Sequence, residues 1–487
     1  MLFQLVCALA FVALSLGAPA ADKIDSLPGW DGALPSDQYS GFLKVQGGTN
    51  LHYWFVEAEM EDPSSVPVVA WFNGGPGCSS LDGFMYEMGP FEVNADLTLS
   101  PREYRWNKQV NMLFIEAPVG VGFSYNDNAD YKCDDERTAA ENLAAVEKFF
   151  ALFPEHNSKD SEFFVFGESY AGVYVPTLAE AIVKATLDGT YTGAALKGIA
   201  VGNGCSGNEL GICGRGPQGT FYEWTYLMQS SLVSNALKKK VDSACDWAAA
   251  EANIEGALSK QCIALLDQAS QQISNVNMYG VYTSCINDSG CTGVEGYRAS
   301  VDAQGNSEVP RGKVPFRGDR VVHGPTACID SKMASAYLNQ EAVQKAIHVD
   351  IANNGQSCWS VCGSAPGWSY NSTVANLPRD TYPLLVSHIN VVVYNGDWDA
   401  CVPYTDGEGW TSGMNLPVKN DWHAWSYTTP DGYANQVAGY ATEYDVSAIG
   451  QGSFEFITIK GGRHEVPETA PGQAYEMVKR VVAKEVF

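Results

Sequence analysis

Short apolar runs alternate with helical stretches along most of the chain. The runs lie at residues 66–72, 111–115, 163–166, 196–201, 389–394 and 454–459. Each run ends in a loop rich in glycine or polar residues. Continuous apolar runs of this length are typical of strands buried on both faces of a parallel sheet. The pattern therefore predicts an α/β fold with a central, mostly parallel sheet.

The alternation stops between residues 205 and 329. This segment, called the insertion below, is rich in Gly, Ser and Cys and has few strand-like runs. We interpret it as a disulfide-rich cap inserted into the α/β core, whose two parts are then residues 21–204 and 330–487. The cap would help to select substrates, and a purely structural excursion is the alternative. Ligands of open α/β sheets bind beyond the carboxyl ends of the strands, so we expect the chemistry in those loops.

The first 20 residues carry no charged side chain and end in Ala18-Pro19-Ala20. They predict a secretory signal peptide, residues 1–20, rather than a membrane anchor, because the apolar run is short. Such a segment begins both secretion and delivery to an acidic vacuole or lysosome. The net charge of −26 argues against nucleic acid as a partner, because phosphate backbones require basic surfaces. We predict no membrane span, and the oligomeric state stays open.

Twelve cysteines remain once Cys7 leaves with the signal peptide. An even number in a secreted chain predicts disulfide bonds. Seven of them lie in the insertion, so at least one disulfide must join the insertion to the rest of the chain if all are oxidised. A local pair of Cys285 with Cys291 fits the spacing. The connectivity as a whole stays open. Cys358 and Cys362 lack a second ligand pair at zinc-finger spacing, so we expect neither metal nor cofactor. Asn287 and Asn371 begin glycosylation sequons.

The segment FVFGESYAGVYVP carries the strongest chemical signal, centred on Ser169. A short apolar strand meets Gly-Glu-Ser-Tyr-Ala, and a helical pattern follows. This arrangement predicts a nucleophile elbow, which exposes a serine hydroxyl on a sharp turn between strand and helix. A serine hydroxyl is a poor nucleophile alone, so the chain must also supply a base and an acid that orients it.

His464 follows the last apolar run and is the candidate base. Asp397 and Asp399 both follow the run at 389–394, and their spacing of two does not choose between them. The order Ser, Asp, His is the one that α/β-hydrolases use. His464 would take the proton from Ser169 and return it to the leaving amine, while the aspartate would orient the imidazole.

Two backbone N–H groups are needed to stabilise the developing oxyanion. One normally belongs to the residue after the nucleophile, here Tyr170. The second is expected from the Gly-rich loop WFNGGPGCSS, in which Gly75 is the candidate. Glycine lets the backbone come close to a substrate. No GKS or GKT follows, which excludes a phosphate-binding loop.

Six segments together resemble the serine carboxypeptidases of the α/β-hydrolase superfamily, of the fungal and plant type that is secreted or vacuolar. They are WFNGGPGCSSLDGFMYEMGP (71–90), NMLFIEAPVGVGFSY (111–125), FGESYAGVYVP (166–176), LKGIAVGNG (196–204), VVVYNGDWDACVP (391–403) and IKGGRHEVPETAP (459–471). The resemblance implies an α/β-hydrolase fold and a triad of Ser169, Asp399 and His464. It also implies an oxyanion hole made by Gly75 and Tyr170.

The resemblance further implies a serine carboxypeptidase that releases single C-terminal amino acids from peptides and proteins through an acyl-enzyme on Ser169. A network in this family binds the C-terminal carboxylate of the substrate, and here it comprises Trp71, Asn73, Gly74, Glu87 and Glu168. Two carboxyl groups repel an anion unless they are protonated. The resemblance therefore implies a preference for acidic pH.

Two residues beside His464 bear on specificity. Arg463 stands where the family usually has Gly, and it would lower the pKa of His464 or pair with a nearby acid. Glu465 would line the pocket for the released residue and favour Lys or Arg there, or else only hold its loop. Two other functions remain open. One is an acyltransferase or esterase on the same scaffold, and the other is a non-catalytic binding or protective protein.

Overall fold

The computed structural model describes residues 18–274, 276–285, 331–363 and 365–487, together with the backbone of 300–301 and 307–308. Most of the predicted signal peptide lies outside the described residues, as do the sequon at Asn287 and Cys291. Within the described part of the chain, no helix is both long enough and apolar enough to span a bilayer.

The strands of the described residues are β1 (Gln38–Lys44), β2 (Thr49–Val56), β3 (Val68–Phe72), β4 (Phe91–Val93), β5 (Leu99–Pro101), β6 (Asn111–Ile115), β7 (Tyr125–Asn126), β8 (Lys132–Asp134), β9 (Glu162–Glu168), β10 (Ala195–Gly202), β11 (Ser300–Val301), β12 (Ser307–Glu308), β13 (Ser369–Asn371), β14 (Asn390–Gly396), β15 (Val418–Tyr427), β16 (Gln436–Tyr444) and β17 (Ser453–Ile459). The α-helices are α1 (Asp135–Leu152), α2 (Ala171–Leu187), α3 (Gln218–Gln229), α4 (Asn235–Ala244), α5 (Trp247–Glu251), α6 (Lys260–Gln272), α7 (Lys332–Leu338), α8 (Glu341–Ala346), α9 (Leu377–Asp380), α10 (Tyr382–His388), α11 (Tyr404–Gly413), α12 (Val466–Thr469) and α13 (Pro471–Ala483).

One large sheet organises the molecule, in the order β1-β2-β6-β3-β9-β10-β14-β17-β16-β15. Its centre, from β6 to β17, is parallel throughout. Antiparallel strands flank this centre on both sides. All six apolar runs are strands of the parallel centre, which confirms the α/β prediction. Their carboxyl ends lie along one edge of the sheet, where the candidate site residues follow.

The parallel strands are buried on both faces because helices cover each side. In β3, Val68, Ala70 and Phe72 pack into one hydrophobic cluster. The alternate residues Val69 and Trp71 pack into the other. Helices α1 and α2 contribute to the first cluster, and α13 contributes to the second. Two-sided burial explains why these strands read as continuous apolar runs.

The described part of the insertion contains α3 to α6 around a small hydrophobic cluster of its own. The disulfides Cys205–Cys213 and Cys245–Cys262 lie in it. Cys285 and Cys358 are also disulfide-bonded. Cys133 is a buried thiol outside any disulfide, so the cysteines are not all oxidised. The domain boundaries stay a prediction.

The side chain of Glu116 anchors the Gly-rich loop that follows β3. This buried carboxylate accepts hydrogen bonds from His52 Nδ1 at 2.8 Å, Trp359 Nε1 at 2.9 Å and the Phe123 N–H at 2.8 Å. The hydroxyl of Ser79, in the same loop, donates to it as well. The disulfide Cys78–Cys362 ties the loop to a segment 284 residues away. The loop is therefore held from several directions.

Glu116→Ala should lower the free energy of unfolding by about 3–5 kcal/mol, because it leaves a buried histidine and several buried donors without their acceptor. Urea unfolding followed by circular dichroism measures the loss. Glu57→Ala is the matched control: its carboxylate accepts from His156 Nε2 at 3.1 Å but is partly exposed, so we expect about 1 kcal/mol. Equal losses in the two variants would contradict this account of Glu116.

Candidate active site

Ser169 occupies a sharp turn between β9 and α2. Its backbone φ is 61°, a left-handed conformation that non-glycine residues seldom adopt. The Ser169 N–H donates to the carbonyl of Gly202 at 3.0 Å, and its own carbonyl accepts from the N–H groups of Gly172 at 2.9 Å and Cys205 at 3.0 Å. These bonds hold the strained turn against the end of β10. The geometry is that of the predicted nucleophile elbow.

The Gly-rich loop packs directly on this elbow at Gly74. A Cβ atom at Gly74 would lie 2.3 Å from the backbone nitrogen of Tyr170 and 2.8 Å from Cβ of Ser169. Glycine is therefore required by the close approach of the two backbones. Gly75 follows with φ of 113°. The contact at Gly74 brings the loop that contains Gly75 to the backbone of Tyr170, and the oxyanion hole made by these two residues stays a prediction.

Asp399, and not Asp397, contacts the candidate base. Nδ1 of His464 lies 2.7 Å from Oδ2 of Asp399, and both side chains are buried. The Asp399 carboxylate also accepts from Asn203 Nδ2 at 2.8 Å and from the Cys401 N–H at 2.8 Å. Asp397 instead accepts from the N–H of Gly461 at 2.7 Å. Of the two aspartates that residue spacing left open, Asp399 is the one in contact with His464, which favours it as the orienting acid.

The second ring nitrogen of His464, Nε2, is left for proton transfer because Nδ1 faces Asp399. Nε2 is buried and makes no hydrogen bond to the described residues. Burial lowers the pKa of His464, but the Asp399 carboxylate outweighs it, and the net effect is a raised pKa. The imidazolium that would form on taking the proton from Ser169 is therefore stabilised by Asp399.

The insertion contacts the base directly, and it contacts the loop that follows the acid. The carbonyl of Tyr279 accepts a hydrogen bond from the backbone N–H of His464 at 2.6 Å. The ring centroids of Tyr279 and His464 lie 4.6 Å apart, with the rings edge to face. The carbonyl of Met278 accepts from the N–H groups of Ala400 at 2.8 Å and Cys401 at 2.9 Å. Sequence reasoning missed these positioning residues, because nothing in the local pattern of the insertion marks them.

Asn73 is the centre of the predicted carboxylate site. Its Nδ2 donates to Glu168 Oε1 at 2.9 Å and lies 3.2 Å from Glu87 Oε1. Its Oδ1 accepts from Trp71 Nε1 at 2.7 Å and from the Gly83 N–H at 3.1 Å. These bonds fix the orientation of the Asn73 amide. The structure therefore brings the polar members of the predicted set into one hydrogen-bonded group next to Ser169.

Both glutamates of this group are buried, and Oε2 of each makes no hydrogen bond to the described residues. Burial raises the pKa of Glu87 well above its usual value, and neighbouring Asp82 and Glu465 raise it further. Burial also raises the pKa of Glu168, with Glu87 as the next cause. The site thus holds protonated carboxyl groups, which can donate hydrogen bonds, at acidic pH. Asp82, a buried acid with a raised pKa, was missed from the sequence.

Glu465 lies at the border of this acidic group. Carboxylate oxygens of Asp82, Glu168 and Glu465 all lie within 4.8 Å of one another, close enough to hold a cation. The guanidinium of Arg463 supplies a positive charge beside this group, because its Nε lies 3.0 Å from Oε2 of Glu465. Arg463 also contacts Glu468. Arg463 therefore pairs with nearby acids, as one of the two predictions for it states, and its effect on the pKa of His464 is a small lowering.

The sequon at Asn371 lies at the end of β13, and the Asn371 side chain is exposed. An oligosaccharide could be attached there without disturbing the core. Its glycosylation stays a prediction.

Comparison with known proteins defines the class. The family model described as serine carboxypeptidase matches residues 28–484. The chain belongs to the serine carboxypeptidase family. It is 33% identical to serine carboxypeptidase-like 21 of Arabidopsis thaliana, over 97% of this chain and 96% of that protein. It is 32% identical to the lysosomal protective protein of Mus musculus, over 99% and 98%.

The fold is shared with a solved structure of low sequence identity. The crystal structure of a prohormone-processing carboxypeptidase from Saccharomyces cerevisiae superposes with a TM-score of 0.69 at 20% identity, covering 97% of each chain. That likeness supports the α/β-hydrolase fold with its mostly parallel central sheet.

Asp399→Asn should lower kcat by about ten-thousandfold, because an amide at this position supports the wrong imidazole tautomer. Turnover of a blocked dipeptide measures the loss. Asp397→Asn is the matched control, since Asp397 bonds to Gly461 and not to His464; we expect it to stay within about threefold of the unchanged protein. A larger loss in Asp397→Asn than in Asp399→Asn would contradict the assignment.

Proposed function

We propose that the protein is a serine carboxypeptidase that releases single C-terminal amino acids at acidic pH through an acyl-enzyme on Ser169. One observation carries the proposal. Glu168, a buried carboxyl group with a raised pKa, immediately precedes the nucleophile and shares Asn73 with Glu87. A site for a free carboxylate therefore lies one residue from the attacking serine, which is the arrangement an exopeptidase requires.

The first half of the reaction forms the acyl-enzyme. Nε2 of His464 takes the proton of Ser169 as Oγ attacks the scissile carbonyl carbon. The N–H groups of Gly75 and Tyr170 stabilise the oxyanion of the tetrahedral intermediate. Its collapse breaks the C–N bond, and the His464 imidazolium gives its proton to the leaving amine. The released product is one amino acid.

The second half of the reaction hydrolyses the acyl-enzyme and regenerates the free enzyme. A water molecule gives a proton to His464 Nε2 and attacks the acyl carbon. The ester bond to Ser169 breaks, and Oγ takes the proton back from the imidazolium. Asp399 stabilises the imidazolium in both halves without itself being protonated.

The carboxylate site accounts for the preference for chain ends. Protonated Glu87 and Glu168 donate hydrogen bonds to the terminal carboxylate of the substrate, and the Asn73 amide, which donates to both glutamates, holds them in place. Once either glutamate ionises, its charge repels that carboxylate, so KM should rise with pH. Internal peptide bonds and simple esters offer no carboxylate to this site.

The substrates we propose are the C-termini of peptides and proteins, reached by the secretory route either outside the cell or in an acidic vacuole or lysosome. An acidic compartment suits the protonated site. The exposed Asn371 sequon supports the same route, because oligosaccharides are attached along it.

A blocked dipeptide with a free C-terminal carboxylate should be cleaved fastest near the acid end of a range of about pH 4 to 7, and its C-terminal amide should be cleaved much more slowly. Ser169→Ala should abolish release of the amino acid, measured by chromatography. Ser206→Ala is the matched control, a buried serine whose hydroxyl makes no hydrogen bond to the described residues.

Faster turnover of the amide or of a simple ester at low pH would instead favour an esterase or acyltransferase. Release that persists in Ser169→Ala would contradict the acyl-enzyme mechanism. No turnover of any of these substrates would favour a binding or protective protein.

Glu168→Gln should weaken the pH dependence of KM, because one of the two titrating carboxyl groups of the proposed site is removed. In the unchanged protein we expect KM to rise by about tenfold per pH unit once a required acid ionises, whereas the glutamine amide donates at every pH. Steady-state kinetics at several pH values measure the slope. Glu162→Gln is the control on the same strand, at the surface and paired with Lys484. A slope in Glu168→Gln equal to that of the unchanged protein would contradict the role of Glu168.

A further inference from the structure

We propose that Arg463 is a specificity-determining residue, which cancels the charge of Glu465 and so suppresses release of C-terminal Lys and Arg. The inference rests on the proposed function, and it concerns the side chain of the released residue. Glu465 alone would attract a basic residue. Paired with Arg463, it should leave a pocket with a preference for neutral residues.

The pair is formed within the loop that carries the catalytic base. Arg463 and Glu465 flank His464 in sequence, and Nε of Arg463 lies 3.0 Å from Oε2 of Glu465. Their side chains are only 17% and 9% exposed, so water screens the attraction weakly. Neither of these two atoms makes a hydrogen bond to the described residues, so the contact is an ion pair governed by charge.

The insertion fixes the position of the arginine. A Cβ atom at Gly280 would lie 2.9 Å from Cβ of Arg463, so the backbone of the insertion packs on the aliphatic part of the side chain. The Arg463 N–H donates to Thr469 Oγ1 at 2.8 Å, and the guanidinium also contacts Glu468. The arginine is thus held from both sides, and its charge stays beside Glu465.

The pair lies where the released residue must bind. A carboxylate oxygen of Glu465 is within 4.8 Å of one of Glu168, which is a proposed ligand of the terminal carboxylate. The side chain of the C-terminal residue starts one carbon from that carboxylate, so it lies within reach of Glu465 and Arg463. A charged side chain therefore interacts electrostatically with Glu465 and Arg463, whereas an apolar side chain does not.

Release ratios within one enzyme preparation test the proposal. Blocked dipeptides that end in Phe, Lys or Glu are compared by kcat/KM at about pH 5, where the carboxylate site is protonated. Arg463→Gly should raise the Lys/Phe ratio by about five- to twentyfold, because Glu465 loses its cation. Arg463→Lys, which keeps the charge, should stay near the unchanged protein. Glu465→Gln should lower the Lys/Phe ratio and raise the Glu/Phe ratio.

The double variant Arg463→Gly with Glu465→Gln closes the cycle, and its Lys/Phe ratio should return to near that of the unchanged protein. Arg463→Gln, a neutral side chain of similar reach, replaces Arg463→Gly if the glycine variant does not fold. A ratio reports on specificity even if part of the enzyme is inactive, because both substrates meet the same active fraction.

Two results would overturn the proposal: a Lys/Phe ratio that does not change in Arg463→Gly or Arg463→Gln, or a ratio that changes equally in Arg463→Lys. Failure of the proposed function is a separate outcome, since the unchanged protein would then release no Phe from its substrate.

Discussion

Buried carboxyl groups that share one pocket cannot all be ionised, and the arrangement around the nucleophile depends on this constraint. Burial raises the pKa of Asp82, Glu87 and Glu168, and neighbouring carboxyl groups raise each of them further. Folding therefore retains protons that the unfolded chain releases above its ordinary carboxyl pKa. These groups contribute stability at acidic pH and lose it as pH rises. The same protons let these groups donate hydrogen bonds, as the proposed carboxylate site requires, so the proposed function links working pH to stability.

The parallel centre of the sheet was predictable from the sequence, and its antiparallel flanks were not. Strands β3 and β9 are covered by helices on both faces, so nearly every residue is apolar and the run is conspicuous. Strand β2 is also buried, but it carries His52 for the Glu116 network. Strand β15 is mostly exposed at the sheet edge. Polar residues interrupt the first half of β2, and β15 has no continuous apolar run, so neither flanking strand stands out along its whole length.

The candidate site was predictable as far as local geometry determines it. A strand-turn-helix at Ser169 and a Gly-rich loop before it are local features, and the structure contains both. The choice of Asp399 over Asp397 depends on backbone groups of the following loop, such as the Cys401 N–H, which spacing cannot place. Asp82 comes close to Glu168 and Glu465 only through tertiary packing. Such contacts leave no periodic signal in the chain.

The insertion contributes to the candidate active site beyond the role in substrate selection that the sequence predicts for it. The Met278 carbonyl accepts from the loop after Asp399, and the Tyr279 carbonyl accepts from the backbone N–H of His464, so adjacent residues of one segment bind the loops of the acid and the base. The next residue, Gly280, packs on Arg463. Catalysis is sensitive to misplacement of about 1 Å, so a segment that binds both loops bears on the distance between Asp399 and His464. The insertion therefore connects Arg463, for which we propose a role in specificity, to the geometry of the Asp399–His464 pair.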